Sequence, residues 1–222
     1  DAQYNYDETP AKEVTVYVTI SNDGVPIRGR DGTVLCHKAI TVPYFDLGRY
    51  NLSEYYRYHT ENGEGKYIDT NIVERPTGLH LYLYLLERYF IGLPEEQCCK
   101  GAYPRDALAS FKLGEDVCYM DETPAYTADS FAALTMTGSP TSLYMTNFWG
   151  HDENLMYYRN HCFPYMSPGW GSTSDYIVLS DGDTWDVAMF SNWSFYSSGG
   201  AFTRFDKDEY NARPGMEMTI SS

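Results

Sequence analysis

Apolar and polar residues alternate regularly near the start of the chain. Residues 13–20 place valine or isoleucine at every second position, between polar and aromatic neighbours. A period of two puts those apolar side chains on one face of a strand. The turn-forming sequence Ser-Asn-Asp-Gly follows at residues 21–24. Residues 39–45 predict a second strand, with Pro43 at its end or at a sheet edge. Together they predict an opening hairpin with a long connection.

Residues 77–90 fit two different periods. Leucine at alternate positions suits a strand, but four apolar residues also share one helical face: Leu79, Leu83, Leu86 and Phe90. The length of the stretch and its straight-chain leucines favour a helix. Thr77 as a candidate N-cap and Gly92 as a stop signal favour it too. We therefore predict one main helix here.

Strand patterns return in the last third of the chain. The predicted strands are 142–149, 154–160, 175–179 and 184–190, with an Asp-Gly turn at 180–183 before the last of them. Residues 46–76 are polar and tyrosine-rich. Residues 91–140 show only short helix-like pieces, at 104–111 and 127–134. Both stretches are predicted to be insertions.

The order of these elements predicts an α+β fold. One main helix would cross one face of a mixed sheet, which is the β-grasp arrangement, here with large insertions. The domain is predicted over residues 13–196, after an N-terminal linker at 1–12. Residues 197–222 would be a C-terminal extension or the start of a following domain. Because the chain opens with Asp1 and has no initiator methionine, we expect neighbouring domains in a longer gene product.

The charge balance narrows the choice of partners. The 222 residues include 16 Lys and Arg against 31 Asp and Glu, which gives a formal net charge of -15. A field of this sign repels phosphate backbones and anionic lipids. We therefore expect neither nucleic acid nor an acidic membrane surface as a partner. The sequence has no apolar run of about 18 residues and its polar opening segment contains no signal peptide, so no membrane insertion is expected.

Tyrosine and cysteine add two further indications. The chain has 22 tyrosines, a residue that suits half-exposed sheet surfaces and interfaces that stay compatible with water. This enrichment predicts a recognition surface and is typical of secreted β proteins. The cysteines are five in number: Cys36, Cys98, Cys99, Cys118 and Cys162. They contain no Cys-x-x-Cys motif, so buried thiols with at most one bridge are expected rather than a zinc or redox site.

The end of the chain resembles a known family. Residues 155–160 read Leu-Met-Tyr-Tyr-Arg-Asn, and residues 175–183 read Asp-Tyr-Ile-Val-Leu-Ser-Asp-Gly-Asp after a Pro/Gly loop. This pattern resembles the transcobalamin-like C-terminal domain family, which has a Trp-x-Tyr-x-x-Asn-Gly strand end, a loop and Tyr-x-Leu-x-Asp-Gly-Asp. Leu155 replaces the usual Trp and His161 the usual Gly.

That resemblance implies a β-grasp domain of a bacterial cell-surface or secreted protein, with its single long helix after two opening strands. Residues 46–76 and 91–140 have no counterpart in the family. The resemblance does not bring cobalamin binding with it. In the vertebrate carriers the vitamin lies between this domain and a helical barrel, and no helical barrel can be recognised in this sequence.

Catalytic and metal motifs are not recognisable. Residues 169–172 read Gly-Trp-Gly-Ser and do not form a Gly-x-Ser-x-Gly nucleophile elbow. Cys98 lacks the flanking pattern of a cysteine protease. His151 and His161 do not have metal-ligand spacing, and Asp181 with Asp183 supplies too few oxygens for a calcium loop. We expect solvated turns, no metal, no cofactor and no enzymatic activity.

Aromatic residues are the remaining candidates for a site. Five of them fall in or beside the C-terminal strands and their loop: Trp149, Tyr157, Tyr158, Trp170 and Trp193. Trp170 lies between glycines in a Pro/Gly loop, so we expect it to be exposed and able to stack on a sugar ring or a partner side chain. Core packing is the alternative expectation for Trp149 and Trp193.

The leading hypothesis is a non-catalytic extracellular binding or adhesion module that contacts a protein or a glycan. One alternative is a small-ligand domain for cobalamin or a similar cofactor, which predicts a concave aromatic-lined pocket. Another is a hydrolase with its site in residues 46–76 or 91–140, which predicts converging titratable groups with perturbed pKa values. A spacer that presents other domains is the fourth possibility.

Overall fold

A computed structural model describes the following parts of the chain: residues 9–50, 60–61, 66–67, 74–100, 117–119, 134–139, 142–149, 151–152, 155–162, 165–167, 170–171, 177–190 and 210–220. The strands in chain order are β1 (Glu13–Asn22), β2 (Val25–Pro26), β3 (Lys38–Pro43), β4 (Thr60–Glu61), β5 (Lys66–Tyr67), β6 (Val117–Tyr119), β7 (Leu134–Ser139), β8 (Ser142–Phe148), β9 (His151–Asp152), β10 (Leu155–Arg159), β11 (Tyr165–Ser167), β12 (Trp170–Gly171) and β13 (Thr184–Met189). Helix α1 (Gly78–Leu85) continues as a π-helical segment (Leu86–Ile91), and 3-10 turns lie at Leu47–Tyr50 and Glu95–Gln97.

The central sheet has five strands, and β1 lies inside it. On one side β1 pairs in parallel with β13, from Tyr17 opposite Thr184 to Asn22 opposite Met189. On the other side it pairs antiparallel with β3 and, at its end, with β2. Strand β10 lies antiparallel on the outer side of β13. Two parallel inner strands with antiparallel partners, crossed by one main helix, make the predicted α+β, β-grasp-like fold.

The alternation in β1 has the predicted effect. Val14, Val16, Val18 and Ile20 are all buried, and the residues between them are half-buried. The predicted turn after β1 is also present. Asp23 and Gly24 have positive φ angles of 48° and 78°, as a two-residue hairpin turn requires. The predicted opening hairpin and its long connection are therefore confirmed.

The limits predicted for the helix are confirmed. Helix α1 begins directly after Thr77, and the π-helical segment ends at Gly92, whose φ of 87° is left-handed. Burial extends beyond the helical face that Leu79, Leu83 and Leu86 share, because every residue of Gly78–Leu85 is buried. Side chains from outside the central sheet contact the helix as well. Phe45 packs on His80 at 4.7 Å between ring centroids, and Phe148 of β8 packs on Tyr82 at 5.2 Å.

Two of the strands predicted in the last third lie differently from expectation. Residues 177–180 are irregular, so the strand predicted at 175–179 is wrong for its described part. Its backbone pairs with the approach to the helix instead: Gly78 donates to the carbonyl of Ile177, and Leu179 donates to that of Pro76. Strand β8 is confirmed, but it belongs to a separate antiparallel sheet of β6, β7, β8 and β9.

The chain divides into two compact units, Asp1–Ser191 and Asn192–Ser222. In the first unit the described end of the predicted linker is tied down, because Ala11 donates its backbone N–H to the carbonyl of Glu74 at 2.9 Å. In the second unit, Met216 donates to the carbonyl of Arg213 in a turn. The predicted helix at 104–111 lies outside the described residues, as does 127–134 apart from Leu134, which opens β7. In the described parts of the chain, no helix combines the length and apolar character needed to cross a membrane.

Candidate functional site

Two of the predicted aromatic residues pack on the helix side of the central sheet. Tyr157 stacks on Trp185 with ring centroids 5.7 Å apart and an interplanar angle of 6°. Trp149 meets Phe90 edge-on at 5.1 Å and also contacts Phe148. Both predicted residues are half-buried against the core cluster. Core packing, the alternative expectation for Trp149, is what this arrangement supports.

The other predicted residues do not join them. Tyr158 follows Tyr157 in β10 and points to the opposite face, because successive strand residues alternate. Trp170 lies in β12, whose backbone pairs with β11, and its side chain is outside what the structure describes. Trp193 lies outside the described residues altogether. The described members of the set therefore divide between the two faces of the sheet.

Trp185, which the sequence did not single out, is the largest fully buried side chain among the residues whose burial the structure describes. Its indole Nε1–H donates to the hydroxyl oxygen of Tyr82 at 3.2 Å, so it joins the last strand to the helix. Burial raises the pKa of Tyr82 well above its ordinary value, which keeps the phenol neutral. The available signal was the apolar alternation of Trp185, Val187 and Met189, which all lie on the helix side.

The residues that carry the family resemblance form a buried polar network. The Asp183 carboxylate accepts hydrogen bonds from Arg159 Nε at 3.0 Å, Asn160 Nδ2 at 2.9 Å and the Ser180 backbone N–H at 2.9 Å. Arg159 Nη2 adds an ion pair at 2.8 Å. Asp181 accepts the backbone N–H of Thr15 at 2.7 Å. These carboxylates hold the turn against β10 and β1, so their role in the structure is architectural.

Metal ligation has no support from this geometry. The donors around Asp183 occupy both of its carboxylate oxygens, and a calcium ion would have to displace the buried Arg159 cation. Among the residues that the structure describes, no group of three or more His, Cys, Asp or Glu side chains could hold a metal ion.

A second buried cluster bears on the hydrolase alternative, because residues of the two predicted insertions meet Glu87 of the helix there. The Tyr50 hydroxyl donates to Glu87 Oε1 at 2.6 Å, and the Cys99 backbone N–H donates to Glu87 Oε2 at 2.5 Å. Arg49 Nη1 donates to the carbonyl of Cys99 at 2.8 Å. Burial raises the pKa of Glu87. Cys98 lies beside this group and is also buried.

The raised pKa values of the two cysteines in this cluster argue against nucleophilic chemistry. Burial, followed by the charge of Glu87, raises the pKa of the Cys98 thiol to about 12. The same two causes raise the pKa of Cys99 still further. A reactive cysteine needs its thiolate at neutral pH, and hence a lowered pKa. The cluster instead joins the turn at Leu47–Tyr50, the π-helical segment and the loop at 95–99.

The side of the central sheet that points away from α1 is different in character. We call it the open face and define it by six partly or fully exposed side chains: Thr15, Tyr17, Thr19, Thr41, Tyr158 and Asp186. They come from β1, β3, β10 and β13, which lie side by side. Each of them alternates along its strand with side chains that point towards the helix. This face is therefore a continuous surface across four strands.

On one half of the open face, His37, which precedes β3, contacts two residues of β1. Its ring stacks on Tyr17 with centroids 4.6 Å apart and an interplanar angle of 10°. Its backbone N–H donates to Thr19 Oγ1 at 3.0 Å. The hydroxyls of Thr15 and Thr41 lie 3.0 Å apart. These contacts place a nearly parallel pair of rings next to hydroxyl groups.

On the other half of the open face, Asp186 lies between its neighbours on two adjacent strands. It lies directly opposite Tyr158 in the pairing of β10 with β13, and beside Thr19 in the pairing of β13 with β1. His161 Nδ1 lies 3.1 Å from Asp186 Oδ2. At the strand positions of the open face that the structure describes, the charged residues are Glu13 and Asp186, without Lys or Arg. The face combines aromatic rings, hydroxyls and acidic charge.

Comparison of the chain with protein-family models, with curated proteins and with solved structures finds no match. The resemblance to the transcobalamin-like family therefore rests on the residues quoted for it. In this structure those residues serve the turn before β13 and the end of β10.

Proposed function

We propose that this chain is a non-catalytic binding module of a bacterial cell-surface or secreted protein, and that it contacts a protein or glycan partner through the open face. One observation carries the proposal. Four adjacent strands present aromatic, hydroxyl and carboxylate side chains on the side of the sheet opposite the helix, and these side chains remain partly exposed.

The chemistry of the open face suits reversible recognition. Tyrosine offers a large rigid ring with a polar tip, so it gains contact area at low conformational cost and remains compatible with water. Tyr17 lies between Thr15 and Thr19 along β1, and Tyr158 lies two strands away in β10. Threonine hydroxyls can both donate and accept hydrogen bonds. The 22 tyrosines of the chain support the same interpretation.

Charge supports the choice of partner class. The formal net charge of -15 and the acidic side chains Glu13 and Asp186 repel nucleic acid and anionic lipid. An extracellular location is part of the proposal and is supported by the tyrosine-rich composition and by the family resemblance. The thiols of Cys36, Cys98, Cys99 and Cys162 are free, so the location is not argued from disulfides.

The rival functions gain less from the geometry. A cysteine hydrolase that used the cluster around Glu87 would need the thiolates of Cys98 and Cys99, which burial suppresses there. A cobalamin-like ligand would need space between aromatic rings. Tyr82, Tyr157 and Trp185 instead contact one another directly, at centroid distances of 5.7–6.3 Å.

The proposal can be tested by covering the open face without removing any contact. Ala39 is exposed and lies opposite Tyr17 in the pairing of β1 with β3. In Ala39→Arg a long cationic side chain would lie across the face. Val25→Arg is the matched control, because Val25 is 67% exposed and lies outside the open face.

The measurement is binding of the fluorescently labelled chain to intact bacterial and host cells by flow cytometry. We expect saturable binding that Ala39→Arg weakens at least tenfold and Val25→Arg leaves unchanged. Absence of saturable binding, or equal effects of the two variants, would contradict the proposal.

A further inference from the structure

We infer that the partner of the open face is a neutral glycan, with a sugar ring lying on the Tyr17–His37 pair and sugar hydroxyls bonded along the row Tyr158, Asp186 and Thr19. This inference rests on the proposed function and names the chemical class of its ligand.

The stacked pair supplies the apolar part of such a site. Tyr17 and His37 are nearly parallel, with an interplanar angle of 10° and a centroid distance of 4.6 Å, and both are half-buried rather than sealed. Because the inner faces of the two stacked rings cover each other, only an outer ring face of the pair can serve as a platform. The C–H face of a sugar ring is flat and apolar enough to pack on such a platform, while its hydroxyls stay in water.

The row beside the platform supplies hydrogen bonds of mixed polarity. Tyr158, Asp186 and Thr19 lie on three adjacent strands in direct register. Because neighbouring strands are about 4.8 Å apart, the row is about 10 Å long, which is long enough to contact more than one sugar. Asp186 can only accept hydrogen bonds when ionised, whereas the hydroxyls of Thr19 and Tyr158 can do both. A sugar, which donates and accepts at each hydroxyl, can use all three.

One buried hydroxyl oxygen below the open face has no hydrogen bond within the described part of the chain. Thr184 Oγ1 is buried and has no hydrogen-bond partner among the described residues. Thr184 of β13 lies opposite Tyr17 of β1. It alternates along its strand with Trp185, which points towards the helix. A buried hydroxyl without a partner is uncommon, because it costs free energy. It therefore marks a point below this face where a buried water would gain a bond.

Charge and size favour a neutral glycan over the other candidates. Sulfated, phosphorylated or uronic-acid polymers would meet Glu13 and Asp186 without any Lys or Arg at the described strand positions of the face. A protein partner normally needs large apolar anchors at the centre of its interface. Among the described strand positions of this face, Met156 is the one large aliphatic side chain, Ala39 and Ala188 are small, and the large side chains of Tyr17 and Tyr158 carry a polar hydroxyl.

The first test is affinity electrophoresis of the purified chain in gels that contain one polysaccharide each. Mannan, galactan and β-glucan serve as neutral probes, and polygalacturonate and chondroitin sulfate as anionic ones. We expect at least one neutral polysaccharide to retard the chain and neither anionic one to do so. Retardation by anionic probes alone, or by no probe, would overturn the inference.

Four variants test whether the polysaccharide binds at the open face. Tyr17→Leu removes the ring and should weaken retardation at least tenfold, whereas Tyr17→Phe keeps the ring and should retain most of it. Ala39→Arg should also abolish retardation and removes no contact, so it remains informative if Tyr17→Leu fails to fold. Val25→Arg should behave like the unmodified chain. Equal retardation of all four variants would contradict binding at the open face.

The second test separates this inference from the proposed function. Cells that bind the chain are treated with periodate, which destroys sugar rings, or with protease. Loss of binding after periodate and persistence after protease would support the glycan. Loss after protease alone, with Ala39→Arg still blocking binding to untreated cells, would overturn the glycan and leave the binding module standing.

Discussion

Arg159 and Asp183 form a buried ion pair, with Arg159 Nη2 2.8 Å from Asp183 Oδ2. The pair joins the end of β10 to the turn that precedes β13, and Asn160 extends it from the same strand end. The pairing of these two strands sets Tyr158 directly opposite Asp186. The ion pair therefore helps to fix the register on which one half of the open face depends.

Removing one partner of this pair should destabilise the fold strongly. Asp183→Ala leaves the buried Arg159 cation uncompensated, and a loss of this kind typically costs roughly 3–5 kcal/mol. Urea unfolding monitored by tryptophan fluorescence would measure it. The double variant Arg159→Met with Asp183→Leu should recover most of the stability, because it removes both charges. A loss of stability in the double variant equal to the summed losses of Arg159→Met and Asp183→Leu, each made alone, would contradict a coupled pair.

Glu87 predicts one pH dependence of stability. Burial raises its folded-state pKa above the ordinary 4.5, so the fold favours the protonated carboxyl. The stability that this group contributes is present below pH 4.5 and is lost as the pH rises through the raised value. Glu87→Gln should therefore become steadily more stable than the unmodified chain as the pH rises from 4 to 7. Unfolding free energies across that range measure the difference.

The variant Glu87→Gln has a structural control in Glu87→Ala. In Glu87→Gln the amide oxygen can accept the Cys99 N–H, and the amide NH₂ can donate to the Tyr50 hydroxyl, so both bonds survive. Glu87→Ala leaves the Cys99 N–H buried without an acceptor and should cost roughly 1–3 kcal/mol at every pH. A difference between Glu87→Gln and the unmodified chain that stays constant with pH would contradict the raised pKa.

His80 predicts a dependence of the opposite sign. The Thr77 backbone N–H donates to His80 Nδ1 at 3.1 Å, so the ring proton is on Nε2, which donates to the carbonyl of Phe45 at 3.0 Å. Burial lowers the pKa of His80 from 6.5 to about 4, because the neutral ring is the form that fits. Its contribution is fully present above pH 6.5 and is lost as the pH falls through about 4. The total is about 3 kcal/mol.

Nuclear magnetic resonance can check this directly. The His80 ring nitrogens should keep the shifts of the neutral Nε2–H tautomer down to pH 5. Protonation of His80 at the pH of a solvated histidine would contradict the account.

The parts of the fold that depend on local pattern were predictable. Strict alternation identified β1, and the approximate limits of β3, β10 and β13 followed from period and turn residues. Thr77 and Gly92 gave the limits of the helix because capping chemistry is local. The predicted strand at 175–179 failed because tertiary pairing with Pro76 and Gly78 replaced a sheet partner.

The site was less accessible from sequence. Tyr157 and Tyr158 were assigned to one aromatic group, although neighbouring strand residues point to opposite faces. Burial of α1 on every side depends on Phe45 and Phe148, which are distant in sequence. His37 joins Tyr17 only because β3 folds back on β1. The binding role assigned to Trp170 and Trp193 remains a prediction.

The central claim, that the open face is the contact surface, is tested most directly by oxidative footprinting of the chain in its free and cell-bound forms. Mass spectrometry would report the modification of each side chain. We predict that binding protects Tyr17, His37 and Tyr158 while Trp149 keeps its free-state reactivity. Protection of Trp149 with unchanged reactivity of Tyr17 and Tyr158 would contradict the claim.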